Sequence, residues 1–84
     1  MKQQALNEIE QLIKTCNESN IQLGKEYQYE ITVCNFAEGC YSADICYNNI
    51  FFGTDMDQLI KIITANSIHF FAGVSHGIPF LHIQ

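Results

Sequence analysis

The sequence predicts a small α+β domain. Two helices and two hairpins follow one another in the order α-β-β-α-β-β, giving an antiparallel sheet with both helices packed on one face. Three observations carry this reading. An apolar stripe at three- and four-residue spacing opens the chain. A run of strict apolar–polar alternation follows it. A second helical stripe and a second pair of short strands then complete the chain. The 84 residues read as one domain, 1–84, which is enough chain for one small core. A hydrophobic share of 48 % against a charged share of 15 % rules out a disordered chain.

The first helix is expected over residues 3–17. Ala5, Leu6, Ile9, Leu12, Ile13 and Cys16 fall on one face, with Glu8, Glu10, Gln11 and Lys14 away from it. The stretch Asn17–Asn20 reads as a stop. Ile21 and Leu23 are then expected to tuck against the core before Gly24 turns the chain.

The first strand is YQYEITV, where Tyr27, Tyr29, Ile31 and Val33 alternate with Gln28, Glu30 and Thr32. The second carries Tyr41, Ala43, Ile45 and Tyr47 on one face, with Ser42, Asp44 and Cys46 on the other. A parity change to Ile50 and Phe52 places a bulge or break at Asn48-Asn49. The second helix lies in GTDMDQLIKIITAN. Thr54 is its expected cap, Asp55 and Asp57 complement the positive helix start, and Asn66 is the expected left-handed cap. Two strands around Ser75-His76-Gly77 close the chain, and Pro79 marks its own strand as an edge.

Cys34, Cys40 and Cys46 stand at even intervals of six residues and invite a metal reading. Register decides against it. A three-residue loop, Ala37-Glu38-Gly39, ending in a left-handed glycine pairs Val33 with Ala43, Ile31 with Ile45 and Tyr29 with Tyr47. A plain two-residue loop would throw the apolar rows onto opposite faces. In the accepted register Cys34 faces Ser42, Cys40 faces Phe36 and Cys46 faces Glu30. Cys34 and Cys46 are then separated by about 13 Å of strand, beyond the reach of a disulfide or of one zinc ion. A three-residue loop at Ser75–Gly77 likewise puts His69 and His82 on opposite faces, whereas a slip of one residue would bring them to the same face. No metal and no cofactor are expected. The glycines are isolated turn residues rather than a phosphate loop, and no nucleophile signature accompanies the thiols. The chain reads as non-catalytic, with a small thiol-dependent enzyme as an alternative.

The net charge is −5, from nine acids against four lysines, and no arginine is present. Phosphate neutralisation needs the opposite balance, so direct nucleic-acid binding is excluded. No apolar run approaches a bilayer span, and the opening residues do not resemble a secretory leader, so the expectation is a cytoplasmic protein that does not engage membranes. The acids Glu26, Glu30 and Asp44 share the outer hairpin face, with Glu38 in the loop and Phe36 close by. Such a face is either simply solvated or a binding surface for a larger protein with a basic surface. The second reading makes the chain a small acidic protein–protein interaction module. In size and charge alone it resembles the inhibitors carried by phages and mobile elements, such as anti-CRISPR proteins and other DNA mimics, and toxin-neutralising immunity proteins. That resemblance implies inhibition of a basic, nucleic-acid-binding partner. The structural alternative is a self-associating subunit, a homodimer in the simplest case, pairing through its sheet face or the Pro79 edge.

Overall fold

The computed structural model describes residues 1–26, 28–47 (residue 47 by its backbone alone) and 53–84. Its elements are α1 (Gln3–Gln22), β1 (Tyr29–Ala37), β2 (Cys40–Tyr47), α2 (Gly53–Ala65), β3 (Phe70–Ser75) and β4 (Ile78–Ile83). The four strands form one antiparallel sheet in the order β1-β2-β4-β3. The expected α+β architecture is therefore the one found.

The core lies between the helices and one face of the sheet. Ala5, Leu6, Ile9, Ile13 and Cys16 of α1 meet Leu59 and Ile63 of α2 over Tyr29, Ala43, Ile45, Leu81 and Ile83. Strand alternation selects the sheet residues, and the helical period selects the others. Ile9, Ile45, Leu59 and Ile83 are completely enclosed.

Helix α1 runs five residues past its expected end. Asn17 and Asn20 do not stop it, because their side chains turn inward. Asn17 accepts from the backbone N–H of Tyr29 and donates to its carbonyl, both at 2.8 Å, and so clamps the start of β1. Asn20 is buried. The helix ends instead at Gly24 (φ 70°). There Gly24 N–H donates to Ile21 and Lys25 N–H donates to Asn20, the paired bonds of a Schellman motif. Ile21 and Leu23, expected against the core, are exposed, since the extended helix carries them to its outer side.

Helix α2 also differs at its ends. Thr54 lies inside the first turn rather than before it, and Gly53 (φ 55°) opens the helix. At the far end Ser67 (φ 53°), not Asn66, takes the left-handed position. Ser67 N–H donates to Thr64 and Ile68 N–H to Ile63, a second Schellman motif whose apolar contact is Ile68 on Ile63. Asn66 Nδ2 is engaged elsewhere, with Ile62 O at 2.9 Å and Glu8 Oε2 at 3.1 Å, and thereby ties α2 to α1.

The first hairpin keeps the expected register from Tyr29↔Tyr47 to Asn35↔Tyr41. Its turn is different. Ala37 opposes Cys40, Glu38-Gly39 makes the reversal, and Phe36 is the extra residue of a bulge. Cys40 therefore does not face Phe36. Gly39 (φ 72°) is left-handed and Glu38 is not, so this is no type I′ turn, and the spare residue is taken up one step back. The expected break at Asn48-Asn49, with Ile50, Phe52 and Tyr27, falls outside the described residues.

The second hairpin is one residue out of its expected register. His76 (φ 52°) and Gly77 (φ 78°) are both left-handed, as a two-residue type I′ loop requires. Ser75 pairs with Ile78, Phe71 with His82 and Phe70 with Ile83. His69 and Gln84 exchange both backbone bonds beyond the strand ends. His69 and His82 thus share a face. Strand β4 is central rather than an edge. Pro79 is accommodated because its nitrogen points toward β2, beyond the Cys46↔Phe80 pair where that ladder ends.

Candidate functional site

Both helices lie on one side, so among the described residues nothing covers the opposite side of the sheet. Alternation assigns that outer face: Glu30, Thr32 and Cys34 from β1, Cys40, Ser42, Asp44 and Cys46 from β2, Phe80 and His82 from β4, and Phe71 from β3. The pairing sets them in rows. One row reads Thr32–Asp44–His82–Phe71, and the next reads Glu30–Cys46–Phe80–Gly73.

The face is divided chemically. Its β1–β2 half holds Glu30 and Asp44 on adjacent strands, with Glu38 exposed at the hairpin tip and Glu26 exposed just before β1. Its β4–β3 half is apolar. Phe71 is 58 % exposed and Ile78 48 %, and the rings of Phe71 and Phe80 meet edge to face with centroids 6.1 Å apart. Phe80 lies directly over Gly73: a Cβ at that glycine would come within 2.8 Å of the ring. The missing side chain at Gly73 is what lets the ring lie down on the sheet. A shallow open groove of about 400 Å³ runs along this half, lined by Asp44, Cys46, Ser75, His76, Ile78 and Phe80.

The two halves meet at His82. Its Nδ1 is 2.7 Å from Asp44 Oδ1, and its Nε2 is 3.3 Å from Gln84 Oε1. Both ring nitrogens therefore face acceptors, an arrangement that suits the imidazolium. The bond to Asp44 raises the His82 pKa, partial burial opposes this, and Gln84 and the Asp44 charge add to the rise. Phe71 packs against the imidazole with the two rings tilted by 34° and their centroids 5.0 Å apart.

The expected site residues are thus not equivalent. Glu26, Glu30 and Glu38 are exposed acids. Asp44 is engaged by His82. Phe36 is 60 % exposed, on the bulge beside the turn. Sequence reasoning missed His82, Phe80 and Phe71 as parts of this face, because His82 and Phe80 enter it through the pairing of β4 with β2, and Phe71 joins them only in the two-residue register of the second hairpin. The signal was the pair His76-Gly77: glycine, preceded by a residue type that tolerates a left-handed backbone, between two apolar runs.

Cys34, Cys40 and Cys46 are on the outer face as expected, and all are free thiols. Among the described residues, no three His, Cys, Asp or Glu side chains converge as metal ligands. Cys46 shares the groove with His76, but no hydrogen bond joins it to His76 or His82. Cys16 is different. It lies buried beside Asp55, which also accepts from the hydroxyl of Tyr29 at 2.8 Å. Burial, with the Asp55 charge and hydrogen bond added, pushes the Cys16 thiol up to about 11. This is the reverse of what a thiolate nucleophile needs.

Among the described residues, no helix is long and apolar enough to cross a membrane. No family model matches the chain, and no curated protein or solved structure is detectably similar to it.

Proposed function

We propose that the protein is a non-catalytic binding module that docks the outer face of its sheet on a larger protein with a basic surface. The observation that carries this reading is the uncovered face itself, where exposed acids adjoin an exposed aromatic patch. A solvated sheet face is ordinarily polar across its width. Here Phe71, Phe80 and Ile78 stand beside Asp44 and Glu30. In such an interface the apolar half supplies area removed from water, and the acidic half supplies orientation and fast encounter.

A partner basic enough to prefer this face is of the kind that handles nucleic acid. Occupying its basic surface would inhibit it, in the manner of the small acidic inhibitors of mobile elements. The protein then acts in the compartment of that partner, the cytoplasm. Affinity capture from the native host tests the reading. The wild type is expected to retain one basic protein stoichiometrically, and the Glu30→Lys/Glu38→Lys variant is expected to lose it while keeping its circular dichroism. Equal retention by both forms would refute the acidic face as the binding surface.

A further inference from the structure

We propose that the chain forms a twofold homodimer through antiparallel pairing of β3 with β3 of a second copy, making one continuous eight-stranded sheet. Strand β3 is an edge, and its free edge can be identified bond by bond. His69 and Gln84 exchange both backbone hydrogen bonds, so by antiparallel alternation Phe71, Gly73 and Ser75 also bond to β4. The N–H and C=O groups of Phe70, Ala72 and Val74 therefore point away from the sheet.

Among the described residues, this edge lacks the protection that edges normally carry. Proteins guard them with charge, proline, bulges or covering elements. The other edge, β1, has Glu30 and the Phe36 bulge. Strand β3 is FFAGVS, six residues without charge, proline or bulge. The helices do not cover it either. Phe70 and Val74 lie on the helix side of the sheet, as buried Leu81 and Ile83 do, yet are 51 % and 70 % exposed.

Two features select a second copy as the occupant. The first is fit. Only outward-pointing residues can exchange bonds, so the register that uses the strand best sets Ala72 opposite Ala72 of the copy. Phe70 then opposes Val74, Phe71 opposes Gly73, and about six backbone hydrogen bonds form. Each large residue meets a smaller one, in both directions. The second is charge. All nine acids and four lysines lie at or before Lys61, so residues 62–84 hold no Asp, Glu, Lys or Arg. Such an edge offers a basic partner nothing to recognise. Joining two copies there brings the acid- and lysine-free hairpins together and keeps the charged β1–β2 regions at the far ends.

Sedimentation over a wide concentration range, with amide hydrogen exchange on the same samples, tests this without any partner, so its outcome is independent of the outer-face reading. The wild type is expected at twice its 9.6 kDa chain mass, with the amides of Phe70, Ala72 and Val74 slowed about tenfold or more relative to a solvent-facing edge. Val74→Lys, at an exposed position, is expected to return it to the chain mass and to restore fast exchange at residues 70 and 72. A wild type that stays monomeric overturns the proposal. So does a dimer in which these three amides exchange freely, or one that Val74→Lys leaves intact while folded. Protection of these amides only when a foreign protein is added would assign the edge to another occupant and equally overturn it. Should Val74→Lys fail to fold, the wild-type mass and exchange pattern still decide.

Discussion

Replacing Asp44 by Asn removes the carboxylate charge from the His82–Asp44 pair on the outer face and leaves its shape. The bond is short, 2.7 Å, and charge-assisted, which favours it. Its setting limits it: the His82 side chain is 22 % exposed and that of Asp44 49 %, so solvent and salt screen the pair. Exposed pairs are worth about 0.2–1 kcal/mol. The geometry places this one near the top of that range, about 1 kcal/mol, or about fivefold in the folded-to-unfolded ratio. The pH dependence follows from the direction of the shift. The folded His82 pKa lies above its unfolded value, so the stabilisation is complete below about 6.5. It is lost as pH rises through the folded value. Urea unfolding of wild type and Asp44→Asn at pH 5.5 and pH 8 measures it. The wild type is expected to exceed the variant by about 0.5–1 M in midpoint at the lower pH, and the gap to narrow at the higher. A constant gap, or none, would refute the ion pair as the link between the two halves of the face.

Three other outcomes follow from the local geometry. Ser67→Gly relieves a left-handed serine at the end of α2 and is expected to stabilise by up to about 1 kcal/mol in the same unfolding assay. Asn17→Ala removes both bonds that hold the backbone of Tyr29, in a part-buried setting, and is expected to cost about 1–3 kcal/mol and to speed amide exchange at Tyr29. With its thiol raised to about 11, Cys16 is expected to resist a thiol reagent at neutral pH in the native protein while Cys34 and Cys40 react. Rapid reaction at Cys16 would overturn its place in the core beside Asp55.

The contrast between the two hairpins shows what was legible in the sequence. In β1 and β2 the apolar residues alternate cleanly, so one register alone buries Ala43 and Ile45, and it was readable despite a misjudged turn. In β3 the adjacent Phe70 and Phe71 put a large apolar residue on each face, and alternation no longer fixes the register. A one-residue error there put Phe70 rather than Phe71 on the face of His82. The helix ends failed for a different reason. Asparagine and serine near a helix end serve equally as stops, left-handed residues or inward-facing ligands of another strand. Which role Asn17, Asn66 and Ser67 take depends on Tyr29, Glu8 and Ile63, residues distant in sequence or set by packing. The outer face as a surface was visible as an acidic stripe. Its aromatic half was not, because it exists only once β4 is placed beside β2.

The most direct measurement of the central claim is the affinity of the isolated partner for the wild-type chain and for two variants that sample the two halves of the face, Glu30→Lys/Glu38→Lys and Phe71→Ser. Both change exposed side chains, so the fold is expected to persist. Each is expected to weaken binding, the charge reversal chiefly by slowing association at low salt and the aromatic loss chiefly by speeding dissociation. Affinities unchanged in both variants would contradict the assignment of the outer sheet face as the binding surface.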